Sequence, residues 1–311
     1  MKKLILGLLI LLSIFGVIWC GETQEEMLLR GVRTGDYPVV VEAIANGANV
    51  NYFDAYGKSV FMYACEKQDI PIMKKLLESG VNPSFKNDFG QNAIMYACKY
   101  VDNESMLKIL SDSGVVNIND CDNGGKTALM YSIENKSTNA LVYLLKRGVN
   151  VNAADNNGND ALILAVKNKN ELAVKKLMEK TVNWSQTDEN GNNAFMIACE
   201  NGSLNMVRFM LTGNNAFDLN TKTSTGLPIL FWLIDKRKSN RIIEYVMEYI
   251  GGYGQIIGME DDFGNDIYYY AELRNNITVL EKLDELEARY KEAKKKTEAK
   301  ADERKSKLKR D

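Results

Sequence analysis

The chain has 311 residues, with 39 Lys+Arg against 41 Asp+Glu, four prolines, five cysteines and no histidine. This near-neutral balance argues against nucleic acid as a partner for the chain as a whole, and the missing imidazole removes the commonest general base, the usual zinc ligand and every Ser–His or Cys–His nucleophile pair. No CxxC spacing and no glycine-rich loop after a strand are present, so no catalytic residue, cofactor, metal or small-molecule substrate is expected and the chain reads as non-enzymatic.

Met1-Lys2-Lys3 opens the chain, and Leu4–Cys20 follows without a charge. Two lysines before an apolar run are the start of an export signal, whose positive end stays cytoplasmic. The run is at the short edge of the roughly 17–25 residues that span a bilayer. Cys20, followed by the acidic Gly21–Glu26 stretch, resembles a bacterial lipoprotein signal, in which that cysteine becomes the lipidated first residue. Trp19 departs from that pattern, which has a small residue before the cysteine. Lipoprotein and uncleaved signal anchor therefore both stand. Either makes residues 1–20 a membrane tether and puts the rest at the cell envelope, on the non-cytoplasmic side.

The stretch GKSVFMYAC at Gly57 returns as GQNAIMYAC at Gly90, GKTALMYSI at Gly125, GNDALILAV at Gly158 and GNNAFMIAC at Gly191, with looser copies at Gly226 and Gly264. The spacings are 33, 35, 33, 33, 35 and 38 residues. A period this regular is the signature of stacked supersecondary units. Within one copy, Asp54-Ala55-Tyr56-Gly57 is a turn and Ser59 is a helix N-cap. Phe61, Met62, Ala64 and Cys65 give the buried face of a first short helix. Pro71 opens a second helix, Ile72, Met73, Leu76 and Leu77 are its apolar face, and Gly80 closes it as a left-handed cap. Neither helix is long enough to persist alone in water, so stability must come from stacking. Met27–Asn51 reads as a first, capping unit that lacks the Asp-x-x-Gly turn. The two-residue insertions before Gly125 and Gly226 lengthen connecting loops.

This arrangement resembles the ankyrin repeat family, whose first helix carries T-P-L-H-x-A. Thr127–Ser132 is the nearest copy, and Gly47–Asn51, Gly80–Pro83 and Gly148–Asn152 match the family's G-A-D-x-N. The histidine slot holds Met62, Met95, Met130, Ile163, Met196, Phe231 or Tyr269, so apolar packing is expected where the family uses hydrogen bonds. The resemblance implies an all-α solenoid of helix–turn–helix units joined by β-hairpin-like loops over residues 21–275. An N-terminal apolar helix (1–20) and a charged C-terminal helix (276–311) flank it. It also implies a protein partner held by the concave face and the hairpin tips. Carried over by slot, the candidates are Tyr56, Lys58, Glu66, Lys67, Phe89, Gln91, Lys99, Tyr100 and Lys126, with Tyr56, Phe89 and Tyr100 favoured as exposed aromatic anchors. The later copies are rich in asparagine at these slots (Asn157, Asn159, Asn190, Asn192).

Cys65, Cys98 and Cys199 share a small buried slot and are expected as reduced thiols; Cys121 falls on a hairpin. Tyr63, Tyr96 and Tyr131 share a slot whose hydroxyls are expected to reach the concave face. From Ile277, the positions Val279, Leu283, Leu286, Tyr290 and Ala293 form a short heptad trace. The expected function is a non-enzymatic interaction scaffold tethered at the envelope; the alternative is an envelope spacer that self-associates through the C-terminal helix.

Overall fold

The computed structural model describes residues 22–308 except 101, 113–115, 213–215, 224 and 252, and no side chain of 301–308. The run expected to reach the membrane, Cys20 included, lies outside the described residues, as do 113–115 and 213–215 near the two insertions. No helix among the described residues is long and apolar enough to cross a membrane.

The helices come in pairs. They are α1 (Gln24–Thr34) and α2 (Tyr37–Ala45), α3 (Val60–Lys67) and α4 (Ile70–Glu78), and α5 (Ala93–Tyr100) and α6 (Glu104–Asp112). Next come α7 (Ala128–Glu134) and α8 (Thr138–Lys146), α9 (Ala161–Lys167) and α10 (Glu171–Leu177), α11 (Ala194–Glu200) and α12 (Leu204–Thr212), and α13 (Ile229–Asp235) and α14 (Asn240–Ile250). A short α15 (Tyr253–Ile257) precedes α16 (Ile267–Leu273) and α17 (Ile277–Leu308). The chain divides into two compact blocks, 1–123 and 124–311, the first holding α1–α6 and the second α7–α17. Extended pairing among the described residues takes the form of isolated bridges, such as Phe53 with Ser59 and Lys222 with Pro228, and Cys121 and Thr127 are bridge residues in the corresponding slots.

Most first helices start at a side-chain cap in one repeating slot. Ser59 accepts from Met62 N–H at 3.1 Å, Asn92 from Met95 at 3.2 Å, Asn193 from Met196 at 2.9 Å and Asp266 from Tyr269 at 3.0 Å. Pro228 holds the slot before α13 and makes no side-chain cap. Capping satisfies amides that a seven- or eight-residue helix otherwise leaves open. Beyond the cap both faces of these helices are packed: Phe61, Met62, Ala64 and Cys65 are fully buried, and Met95, Met130 and Met196 are buried in the slot that holds histidine in the resembling family. Tyr269 breaks this row and is exposed. The turn between paired helices also repeats. Gln68, Lys136, Lys169, Gly202, Arg237 and Asn275 all have positive φ. The next residue returns its amide to the first helix, as Asp69 does to Ala64 O (3.1 Å) and Asn276 to Ala271 O (2.8 Å).

That register shows what the C-terminal helix is. Asn275 and Asn276 occupy the inter-helix turn, and Asn276 caps the next helix through Val279 N–H at 3.2 Å, so α17 begins as the second helix of an eighth repeat. Val279, Leu283 and Leu286 are buried, and α17 packs on α14, α15 and α16. From Lys291 to Lys300 every residue is exposed, and i,i+4 pairs such as Glu287–Lys291 (2.7 Å) and Glu292–Lys296 (2.6 Å) support the polar part. The first repeat starts differently: Thr23 and Glu26 form a reciprocal capping box on α1.

Successive hairpins within a block touch at their glycines. Gly57 has φ +69°, and a Cβ there would lie 2.6 Å from Asp88 Oδ1 and 3.0 Å from its amide nitrogen; Gly125 stands in the same relation to Asn156 at 2.9 and 3.0 Å. The carbonyl before each glycine accepts an amide from the next hairpin: Tyr56 O from Asp88 at 3.4 Å, Phe89 O from Asn123 at 2.9 Å and Gly124 O from Asn156 at 2.9 Å. Gly80 also has positive φ but open space around it.

Two outcomes follow for stability. Gly80→Ala carries only the left-handed backbone strain and should destabilise by about 1 kcal/mol. Gly90→Ala adds a Cβ 2.7 Å from the Asn123 amide nitrogen and should destabilise by roughly 2–4 kcal/mol in urea titration; equal effects would contradict the packing argument. Asp160 is buried, caps α9 through Ile163 N–H at 2.8 Å, and burial pushes its carboxyl up to about 6 against the helix amides that favour the charge. Its folded pKa exceeds the unfolded value of about 3.9, so its contribution is complete below about pH 4 and is lost as pH rises through about 6. Asp160→Asn, which keeps the acceptor, should therefore be more stable than the wild type at neutral pH by roughly 1–2 kcal/mol, with the gain vanishing below about pH 4. A less stable variant at neutral pH would show that the charge on the helix dipole outweighs desolvation.

Candidate functional site

The hairpins close on themselves before anything else can use them. Asp54 Oδ1 accepts from the amides of Tyr56 (2.9 Å) and Lys58 (3.0 Å), Asn87 from Phe89 (3.0 Å) and Gln91 (2.8 Å), and Asp261 from Phe263 and Asn265 (both 2.8 Å). The tyrosine slot completes the same turn: Tyr63 donates to Asp54 Oδ2 at 2.7 Å and Tyr270 to Asp261 Oδ2 at 2.6 Å, while Tyr96 accepts from Asn87 at 3.2 Å. These hydroxyls, expected at the concave face, are thus engaged within their own hairpins. The donors hold the Asp54 carboxyl below its usual value despite partial burial, and burial with the Asp54 bond pushes Tyr63 up to about 12.

What the closed turn leaves over is its apex. The residue before the glycine has no packing surface, and in three hairpins it is aromatic: Tyr56 is 71 % exposed, Phe89 62 % and Phe263 87 %. In the first block Phe53 and Phe85 are exposed beside these tips. Sequence reasoning selects Tyr56 and Phe89 and misses Phe263, although Asp262-Phe263-Gly264 repeats Asp88-Phe89-Gly90. Phe53 and Phe85 have no repeating signal.

The remaining candidates separate sharply. Tyr100 is exposed, but it ends α5 whereas Phe89 precedes its start, so the helix, about 12 Å long, lies between them. Lys58 is ion-paired with Glu66 and stands 3.7 Å from the Tyr63 ring centroid; both charges are used within the repeat. Lys126 and Glu134 make the corresponding pair at 2.7 Å. Gln91 is a correction: it is buried, and its side chain accepts from Asn87 Nδ2 at 3.3 Å because the hairpin arm turns it inward. Asn159 is buried likewise and bonds Asp155. Lys99 lies 5.1 Å from the Tyr100 ring.

Lys67 is exposed at the end of α3 and lines an open groove of about 570 Å3 with Leu29, Arg33, Tyr63 and Glu66. Cys65, Cys98 and Cys199 are buried and form no disulfide, and burial raises their thiols well above the ordinary range; Cys121 is exposed. Among the described residues no three cysteine, aspartate or glutamate side chains gather as a metal site.

The family model for ankyrin repeats (three copies) matches residues 28–120, 61–155, 108–187, 139–223 and 162–255. The crystal structure of the ankyrin repeat domain of Bcl-3, a unique member of the IkappaB protein family, is similar with a TM-score of 0.63 and 22% identity, covering 71% of this chain and 97% of that one. At that identity the likeness is one of fold. No curated protein sequence matches the chain.

Proposed function

The chain belongs to the ankyrin repeat family, and from that premise we propose that it is a non-catalytic scaffold that holds a partner protein against its first block. One observation carries the reading. The hairpin interior is consumed by its own hydrogen bonds, yet Tyr56 and Phe89 are placed at successive apices, largely exposed and linked only through their backbones. Aromatic side chains offer large contact area at low entropic cost, and they have no structural employment here. Tyr100, on the first-helix face of the same block, extends the surface.

The tether is part of the proposal. An uncharged run from Leu4 to Cys20 behind two lysines favours attachment at the cell envelope, through lipidated Cys20 or an uncleaved anchor. The alternative, self-association through the C-terminal helix, has less to recommend it, since Val279, Leu283 and Leu286 are buried against α14–α16 and not offered to a second copy.

A photo-crosslinking residue placed at position 56 or 89 of the full chain, in its own cells, should trap one partner in the membrane fraction. The same residue at Lys74 or Glu78, exposed on α4, should not. Tyr56→Ala, Phe89→Ala and Tyr100→Ala together should abolish that product and leave the melting temperature within about 2 °C. Equal trapping from all positions, or trapping unchanged by the triple variant, would contradict the docking surface; a chain found wholly in the soluble fraction would remove the tether.

A further inference from the structure

The groove between α1 and α3 has a charge imbalance that the repeat does not explain. Its carboxylates are already engaged: Glu26 accepts from Thr23 N–H at 2.9 Å and Glu66 pairs with Lys58. Arg30, also on its wall, is held by Glu22 through two bonds of 2.8 and 2.9 Å. Arg33 and Lys67 remain. Neither makes an ion pair among the described residues, both are exposed, and Arg33 stands 5.4 Å from the Tyr63 ring centroid. Each is the last-turn cation of its helix, and the helix dipole favours a positive charge there. That explains why cations are tolerated but supplies no full counter-charge for them. Leu29 and the Tyr63 ring give the groove an apolar wall. One repeat further on, the slot of Lys67 is occupied by exposed Tyr100.

We propose that this groove receives an extended acidic segment of a partner protein, its carboxylates on Arg33 and Lys67 and an apolar side chain against Leu29 and Tyr63. The proposal rests on the reading of the first block as a protein-docking surface and names the chemistry of what docks. Charge complementarity selects an anion, and the apolar wall beside the cations selects a peptide over a bare phosphate, which would find nothing to desolvate there.

The test is fluorescence anisotropy on the full chain in detergent, with a labelled peptide alternating Glu and Leu and its counterpart alternating Gln and Leu. The Glu peptide should bind at least about ten-fold more tightly, and raised salt should narrow the difference. Arg33→Glu with Lys67→Glu should weaken it about ten-fold or more, with Arg33→Gln and Lys67→Gln intermediate and available if the reversal fails to fold. Lys74→Glu with Lys108→Glu changes the total charge equally on second helices and should leave binding intact. Equal affinity for the two peptides, or equal weakening by both charge reversals, would overturn the proposal. So would oligothymidine or phosphatidylglycerol vesicles displacing the peptide with the same sensitivity to Arg33 and Lys67. If crosslinking from positions 56 and 89 persists while the Glu peptide fails to bind, the groove assignment falls and the scaffold reading stands. Peptide binding without any crosslinked partner supports the groove and sinks the scaffold.

Discussion

The tip glycine of one hairpin and the backbone of the next share a space that has no room for a Cβ. Gly57 meets Asp88 in this way and Gly125 meets Asn156, and the carbonyl ahead of each glycine takes an amide from the same neighbour. Positive φ alone could be met by asparagine at modest strain; positive φ together with this approach requires glycine. The period of the chain is thus the period of a contact. Short helices of seven to eleven residues survive because each repeat supplies the wall on which the next turn closes.

The same closure decides what is available to a partner. The turn carboxylate is saturated by two amides and a tyrosine, the lysine after the glycine is drawn onto that tyrosine ring, and its glutamate follows it. Charged residues that look like surface contacts in the sequence are therefore internal to the repeat. Two kinds of side chain escape. The aromatic apex residues are largely exposed, and the cations ending α1 and α3 make no ion pair among the described residues. Tyr56 precedes the start of α3 and Lys67 ends it, so an apolar anchor and a positive charge lie about one helix length apart, roughly 12 Å, which suits an elongated partner better than a small ligand.

Most of the fold was legible because its determinants are local. The cap at Ser59, the left-handed Gly80 and the Pro71 start are read from residue type and spacing, and all are found in place. The buried methionines in the family's histidine slot were equally legible. The misses are of another kind. The fate of Gln91 and of the Tyr63 hydroxyl depends on which way a hairpin arm turns, a tertiary matter that a repeat pattern does not encode. The change of composition at 276 marks a charged C-terminal helix, and the turn at Asn275 and Asn276 adds that its start is the second helix of a repeat. Phe263 was overlooked because its repeat is degenerate elsewhere, although the apex triplet is intact.

The claim that each turn is held by its neighbour is tested most directly by native-state hydrogen exchange at the linking amides. Those of Asn123 and Asn156, which donate to Phe89 O and Gly124 O of the preceding hairpin, should be protected to nearly the same free energy as the helix amides of Tyr96 and Leu164. Exchange of the hairpin amides at free-peptide rates while the helices remain protected would mean that the turns are ornaments on an independently stable helical stack, contrary to this account.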